Sequence, residues 1–250
     1  MPRFPHRRRL AYATCFSVLG LVLLGAATTF DAGAAAFFSA WCAVCLLILA
    51  AAYFRSWPRV FGKTDAGRLR PARAVVMAPY VLLSVIVWRL QNLFLDRQPW
   101  SRITPNLFVG RRCHVAMLPP GTTLVIDVTA EFLTPRSIRE SVPFLCSPTL
   151  DGCAPTLEQC RAAFESVSWD SHPVVYVCCA NGAGRSVTFV AMFLGWLGRA
   201  GSAEEAITMI RQARREAGPG TDQRAFLVEN FPVRPGETSA ASHENSAQPG

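Results

Sequence analysis

A cysteine and an arginine stand at the two ends of a short glycine-containing loop in the stretch VVYVCCANGAGRSVTFVAMFL, residues 174–194. An apolar β-branched run ends at Cys179, and a second apolar run begins at Arg185. Small residues between them let the backbone curl with its N–H groups pointing inward. Such a loop at a helix N-terminus binds anions, and an arginine adds a bidentate fork for phosphate oxygens. We therefore predict that phosphate is bound by Ala180, Asn181, Gly182, Ala183, Gly184 and Arg185.

The same positive surroundings favour a thiolate at Cys179. A thiolate at the base of a phosphate site is a nucleophile aimed at phosphorus. The pattern therefore predicts phosphoryl transfer to sulfur, followed by hydrolysis. A buried core cysteine is the alternative for Cys179, but the glycines, the arginine and the flanking strand and helix together favour chemistry.

The elements that must position this loop are those of an α/β domain over residues 97–231. The buried β-branched run Val174–Cys178 predicts a central strand, and the apolar run Arg185–Leu197 predicts the helix that follows the loop. The other predicted strands are Asn106–Gly110, Leu124–Val128 and Val142–Cys146, and the other predicted helices are Thr156–Val167, Ser202–Gly218 and Thr221–Phe231. The tail over residues 232–250 is too poor in apolar residues to fold.

Two uncharged apolar runs precede the domain, Leu10–Phe30 and Ala32–Phe54, each near the length that crosses a bilayer as a helix. They predict a membrane anchor over residues 1–55, formed by a transmembrane helical hairpin. A third apolar run, Ala74–Trp88, spans only about 22 Å at 1.5 Å per residue. Residues 56–96 are therefore interpreted as a basic loop followed by a short span or by an interfacial or re-entrant segment, and we favour the non-crossing form.

Basic residues flank the hairpin at its two ends, in residues 3–9 and 55–73, and are absent from the link between its helices. The positive-inside rule then places both ends in the cytoplasm. With a non-crossing third run the catalytic domain is cytoplasmic too, as we favour, whereas a crossing third run would place it on the other side. The formal net charge of +8 is explained by topology and anionic lipid rather than by nucleic acid. We expect an integral membrane protein with a membrane partner and no nucleic-acid partner.

Nine cysteines and four histidines are scattered without a CxxC pair or a zinc framework. Most of the cysteines are expected to be small buried hydrophobic residues, as suits a reducing compartment. We predict no metal and no cofactor.

The pattern C-x5-R-S after a strand resembles the signature of the cysteine-dependent protein tyrosine phosphatases, in particular their dual-specificity branch. The resemblance covers about residues 102–231 and includes ITPNLFVGRR and LVIDVTAEF. It implies a central mixed, mostly parallel sheet flanked by helices. It also implies that Cys179 is the nucleophile, that Arg185 binds the phosphate and its transition state, and that Ser186 helps the sulfur to leave.

The family needs an acid to protonate the leaving oxygen, and Asp151 in PTLDGCAPT matches that position. Asp151 precedes Gly152 and lies near two prolines, which predicts a loop able to reach a cleft. Asp127 is the rival acid, but its place inside a β-rich run favours a structural role. Glu131 and Arg136 in TAEFLTPR either line the cleft or lie on the solvated surface, and we favour the surface.

The chain departs from the family at Cys178, where a histidine usually precedes the nucleophile. The change bears on the ordering of the loop, and it leaves three function classes open. The first is a membrane-anchored phosphatase acting on phosphotyrosine, phosphoserine or phosphothreonine in proteins, favoured because the loop has no basic residue besides Arg185. Phospholipid head groups are the alternative substrate of the same mechanism. The second class is an inactive phosphate-binding membrane tether, and the third is a redox pair of Cys178 and Cys179.

Overall fold

The computed structural model describes residues 7–30, 33–94, 98–171 and 173–232. The predicted unstructured tail lies outside the described residues from position 233 onward, as do Asp31 in the link of the hairpin and Arg97 at the predicted domain boundary.

The described residues form five strands and nine α-helices, with 3-10 turns at Pro58–Phe61, Val115–Met117 and Trp169–Ser171. The strands are β1 (Trp100–Thr104), β2 (Leu107–Arg111), β3 (Leu124–Thr129), β4 (Phe144–Thr149) and β5 (Val175–Cys179). The helices are α1 (Arg7–Thr29), α2 (Ala34–Phe54), α3 (Pro71–Val76), α4 (Ala78–Phe94), α5 (Arg136–Ser141), α6 (Leu157–Glu165), α7 (Arg185–Trp196), α8 (Ala203–Ala213) and α9 (Thr221–Asn230).

The sheet has the order β1-β2-β5-β3-β4, with β1 antiparallel to β2 and all other pairs parallel. The predicted mixed, mostly parallel sheet flanked by helices is confirmed. The antiparallel edge strand β1 is an addition, because the sequence pattern indicated a strand only from Asn106. The strand β5 lies in the centre, and all five of its residues are buried.

Alternation along β5 divides its side chains between the two faces of the sheet. Val175, Val177 and Cys179 pack with α6, α7, α8 and α9 in the larger core cluster. Tyr176 and Cys178 point to the other face, where they pack with Ile138 of α5. The helix α7 is buried along almost its whole length, which fixes its first residue, Arg185, against the end of β5.

The helices α1 and α2 form the predicted hairpin, and both are long and apolar enough to cross a bilayer. Gly20 lets them approach closely, because a Cβ there would lie 2.9 Å from Leu47 Cγ. The third apolar run differs from its prediction over residues 74–88. It forms the short α3 and then α4, which begins at Ala78 with Pro79 in its first turn and continues to Phe94.

The hairpin packs directly on the end of the sheet that carries the loops after β3 and β4. Residues of α1 and α2, including Leu49 and Tyr53, share a buried cluster with Ala130 and Leu150. The segment after α2 adds a buried ion pair, in which Lys63 Nζ lies 2.8 Å from Asp127 Oδ2. Lys63 is the only lysine of the chain, and its side chain is fully buried.

Candidate active site

The loop of residues 180–184, here called the phosphate loop, joins the last residue of β5 to the first residue of α7. Its backbone packs against β2 so closely that a Cβ at Gly182 would lie 2.3 Å from the carbonyl carbon of Gly110. Gly182 also has φ of +68°, which favours glycine. The tight turn that the sequence predicted therefore depends on this one residue.

The carbonyl groups of the phosphate loop point outward, each to a donor from the surrounding domain or from α4. Trp88 Nε1 donates to the carbonyl of Ala180 at 2.9 Å. The buried guanidinium of Arg214 donates to the carbonyls of Asn181 and Gly182 at 3.2 and 2.9 Å. The N–H of Gly218 donates to the carbonyl of Ala183 at 2.8 Å.

Outward carbonyls fix the direction of the N–H groups, because the C=O and N–H of a trans peptide point in opposite directions. The N–H groups of residues 181–184 therefore point into the loop. The N–H of Gly182 shows this directly, since it donates to Cys179 Sγ at 3.2 Å. The result is a ring of donors beside the sulfur, which is the geometry of an anion-binding nest.

Cys179 lies at the base of this ring and is 4% exposed. The hydroxyl of Ser186 lies 3.3 Å from its sulfur, and the N-terminus of α7 begins six residues after it. An N–H donor, a hydroxyl and a helix N-terminus therefore lie around the sulfur. Cys179, Ser186 and the phosphate loop are thus brought together as the sequence predicted, although their roles in catalysis remain predictions.

Arg185 is buried and held by an acidic residue that the sequence analysis placed on the surface. Its Nη1 and Nη2 each lie 2.8 Å from one oxygen of Glu131, and Nη1 also donates to the carbonyl of Thr149 at 2.9 Å. Burial alone would lower the pKa of Arg185, but the carboxylates of Glu131 and Asp151 outweigh it and raise that pKa well above its ordinary value. Glu131 is 4% exposed, so its interpretation as a solvated residue was wrong.

The signal for Glu131 was its place just after β3. The carboxyl ends of parallel neighbours meet at one edge of a sheet, so a residue following β3 lies beside the end of β5. Arg136, in contrast, is exposed and pairs with Glu140 on the surface, as expected.

Asp151 and Asp127, the two candidate acids, have opposite surroundings. Asp151 follows β4 in a loop, with a side chain 63% exposed and Oδ1 3.2 Å from Arg185 Nη2. Asp127 is 2% exposed inside β3, where Lys63, Thr129 and Thr134 all bond its carboxylate. Burial raises the pKa of Asp127, but Lys63 and these hydrogen bonds outweigh it and lower that pKa below its ordinary value. Asp127 therefore has the structural position that the sequence favoured.

Cys178 points away from Cys179, because successive side chains of a strand lie on opposite faces. It packs in the apolar cluster with Tyr176 and Cys113, and burial raises its pKa well above the usual range. The two thiols are thus in different cores, and this geometry argues against a redox pair of Cys178 and Cys179.

Contacts from the hairpin and from α4 were not foreseen. Besides Trp88, Gln91 of α4 accepts a hydrogen bond from Asn181 at 2.9 Å, and the hydroxyl of Tyr53 donates to the carbonyl of Asp151 at 3.0 Å. The sequence contained a signal for these contacts, because Trp88 and Gln91 place hydrogen-bonding side chains at and just after the end of the third apolar run. Among the described residues, no group of three or more His, Cys, Asp or Glu side chains could hold a metal ion.

Comparison with known proteins finds similarity at the level of structure. No family model matches the chain, and no curated protein matches it. The solved structures that resemble it include PTPMT1, with 26% identity over 53% of this chain and 93% of that chain at a TM-score of 0.47. Another structure of PTPMT1 is a complex with PI(5)P. Tk-PTP in its active form has 20% identity over 53% and 96% of the chains at 0.46, and human DUSP28 has 21% over 54% and 94% at 0.43.

Proposed function

We propose that this chain is a membrane-anchored, cysteine-dependent phosphatase that hydrolyses phosphomonoesters through a cysteinyl-phosphate intermediate. The observation that carries the proposal is the ring of inward N–H groups around Cys179, with the buried guanidinium of Arg185 held rigidly beside it. A structural cysteine has no need of a donor ring, and a merely phosphate-binding loop has no need of a sulfur at its base.

The reaction would proceed in two balanced steps. The sulfur of Cys179 attacks phosphorus while the N–H groups and Arg185 hold the nonbridging oxygens, so the P–S bond forms as the P–O bond to the alcohol breaks. Asp151 gives its proton to the departing oxygen. In the second step water attacks phosphorus, Asp151 takes a proton from it, and the sulfur leaves as a thiolate beside Ser186, with inorganic phosphate as the product.

The contacts of the hairpin support a cytoplasmic position for the catalytic part of the chain. The start of α1 and the end of α2 lie against the catalytic part of the chain, through the backbone of Arg9 with Asp222 and through Tyr53 with Asp151. Both of these hairpin ends carry the arginines that the positive-inside rule assigns to the cytoplasm. Since α4 contacts the phosphate loop through Trp88, we infer that it stays on that side and does not cross.

For the substrate, we propose a phosphomonoester head group on a membrane lipid. Trp88 and Gln91 of α4 contact the phosphate loop, while the large apolar residues of the same helix face outward, namely Leu82, Leu83, Ile86, Val87, Leu90, Leu93 and Phe94. A helix with its side chains is about 10 Å wide. The phosphate loop therefore lies about one helix width from an apolar surface suited to the acyl region.

Phosphoprotein, the substrate class favoured by the sequence, remains the second candidate. The phosphate loop has no basic side chain besides Arg185 to attract a highly charged lipid head group. The side chain of Asp151 is 63% exposed, which leaves solvent access on the side of the acid. Both features would admit a phosphorylated side chain of a protein.

The test uses the full chain in mixed micelles, with phosphatidic acid and a set of phosphopeptides as substrates. We expect kcat/KM for the lipid to exceed that for any peptide at least about tenfold. We also expect the lipid rate to fall as neutral detergent dilutes the surface, with no such fall for a soluble aryl phosphate. Cys179→Ser must abolish turnover of every substrate. Turnover of peptides alone would shift the proposal to phosphoprotein, and phosphate binding without any turnover would support the tether.

A further inference from the structure

The loop that carries Asp151, residues 150–155, is here called the acid loop. Different parts of the chain lie against its two sides. Its back borders a cavity of about 840 Å³ between α6, α9 and the segment after α2, lined in part by Leu150, Cys153 and Pro155. Its front lies against the hairpin, where Leu150 belongs to the same buried cluster as Tyr53. Behind the loop, Gln223 Nε2 of α9 donates to the carbonyl of Cys153 at 2.9 Å, and the cavity leaves room around this contact. The contacts of the hairpin lie at the other end of the loop, at Asp151 and Gly152.

Tyr53 makes the most direct of these contacts. It lies in the last turn of α2, is 2% exposed, and donates its hydroxyl to the carbonyl of Asp151 at 3.0 Å. Its ring packs against Tyr12 and Phe16 of α1, with centroids 5.2 and 5.5 Å away. Because both neighbours belong to the hairpin, the direction of the Tyr53 hydroxyl is set by the hairpin.

Tyr12 makes a second contact one residue further along the acid loop. Gly152 has φ of +71°, and a Cβ there would lie 2.8 Å from Cε2 of Tyr12. The ring of Tyr12 thus lies over a residue that favours glycine both for its backbone angle and for the space it leaves. The hairpin therefore contacts the acid loop at the carbonyl of Asp151 and at Gly152.

We propose that Tyr53, assisted by Tyr12, is a positioning residue that holds the general acid over the phosphate loop, so that the hairpin takes part in proton delivery as well as in attachment to the membrane. The inference rests on the proposed phosphatase function. Tyr53 touches the backbone of Asp151 and not the substrate, so it acts through the position of the carboxyl group.

Loss of a positioning residue changes the kinetics in a way that a general loss of stability does not. An alkyl alkoxide is a poor leaving group and needs the proton of Asp151, whereas p-nitrophenolate leaves readily without it. Displacement of the acid loop therefore slows hydrolysis of alkyl phosphates and spares aryl phosphates.

The experiment compares wild type with Tyr53→Phe, in the full chain in detergent, on an alkyl phosphate and on p-nitrophenyl phosphate. Loss of one hydrogen bond predicts a fall in kcat of about 3- to 10-fold for the alkyl ester. We expect less than about a 2-fold change for the aryl ester. Combined with Asp151→Asn, Tyr53→Phe should cause no further loss, because the acid is already absent.

Tyr80→Phe is the matched control. Tyr80 belongs to the same aromatic group, edge-on to Phe16 at 6.0 Å and stacked on Phe61 at 5.7 Å, but it lies on α4 and not on the hairpin. It should retain the wild-type ratio of alkyl to aryl rates. Gly152→Ala is a second probe, because its Cβ would push the acid loop away from Tyr12, and it should reproduce the selective loss.

Two results would overturn the proposal. The first is that Tyr53→Phe lowers the rates on the alkyl and aryl esters equally. The second is that Tyr53→Phe keeps wild-type rates on both esters while Gly152→Ala shows no selective loss on the alkyl ester. If the proposed phosphatase function itself is wrong, the results differ from these, because Cys179→Ser would then retain turnover or wild type would show none. If Cys179→Ser is inactive and Asp151→Asn is selective for alkyl esters, the function stands and only the role of Tyr53 is rejected.

Discussion

The phosphate loop and the acid loop meet at Arg185, yet they are supported by different parts of the chain. Arg214, Gly218 and Gly110 of the region around the sheet hold the phosphate loop, and α4 adds hydrogen bonds at its first two residues. The acid loop is held by Gln223 of α9 at Cys153, and at Asp151 and Gly152 also by Tyr53 and Tyr12 of the hairpin. Under the proposed function, we expect phosphate binding to depend on the α/β domain, and delivery of the proton to depend on the hairpin as well.

The phosphate loop should be most sensitive to Arg214, whose guanidinium is buried and bonds the carbonyls of Asn181 and Gly182. Arg214→Leu frees these carbonyls to turn inward, which removes N–H donors from the phosphate. By analogy with loss of an oxyanion donor, we expect kcat/KM to fall about 100-fold or more. The loss should be equal for alkyl and aryl esters, in contrast to Tyr53→Phe.

Arg215→Leu is the control for that variant, because Arg215 is the exposed neighbour and carries the same side chain. It should keep the wild-type kcat/KM. If Arg214→Leu lost activity only on alkyl esters, the claim that the phosphate loop binds phosphate and the acid loop delivers the proton would be contradicted.

The next largest effect is expected at the ion pair that joins the segment after α2 to β3. Asp127→Asn leaves the charge of Lys63 buried without its partner, which costs about 3–5 kcal/mol in the free energy of unfolding. Denaturant unfolding of the full chain in detergent measures it. Asp170→Asn, at an exposed aspartate, should have no comparable cost.

The same pair gives a pH dependence with a definite sign. The pKa of Asp127 is lower in the folded protein than in the unfolded chain, so its contribution is complete above about pH 4 and is lost as pH falls through the folded pKa. As the pH falls below about 4, wild type should lose more stability than Asp127→Asn does. Parallel curves for the two proteins would show that the pair does not titrate in this way.

The smallest effect should come from Trp88, the contact of α4 with the phosphate loop. Trp88→Phe removes one hydrogen bond to Ala180, but the carbonyl of Ala180 also accepts from the N–H of Arg112 at 3.3 Å. We expect kcat/KM to change by less than about 3-fold on either ester. A loss as large as that of Arg214→Leu would mean that the phosphate loop depends on α4 as strongly as on the α/β domain.

Local patterns in the sequence were sufficient for the central elements. The β-branched run before Cys179 and the apolar run after Arg185 predicted β5, the phosphate loop and α7 to within one residue at each end. The two apolar runs likewise predicted α1 and α2. In each case the signal lies within one element, because burial and periodicity are properties of neighbouring residues.

The missed features all depend on contacts between distant parts of the chain. Glu131 meets Arg185 across 54 positions, and Tyr53 meets Asp151 across 98. Lys63 was treated as one of several topogenic charges, although it is the single lysine among the arginines. A pattern identifies residue types that can pair, but the sheet order and the docking of the hairpin decide which of them do.

The most direct test of the central claim is to look for phosphate on Cys179 during turnover. The full chain in detergent is mixed with p-nitrophenyl phosphate, quenched in acid and digested for mass spectrometry. We predict one added phosphoryl group on the peptide containing Cys179, absent from Cys179→Ser, which should also be inactive. Steady turnover with no phosphate on this peptide, together with an active Cys179→Ser, would contradict the account.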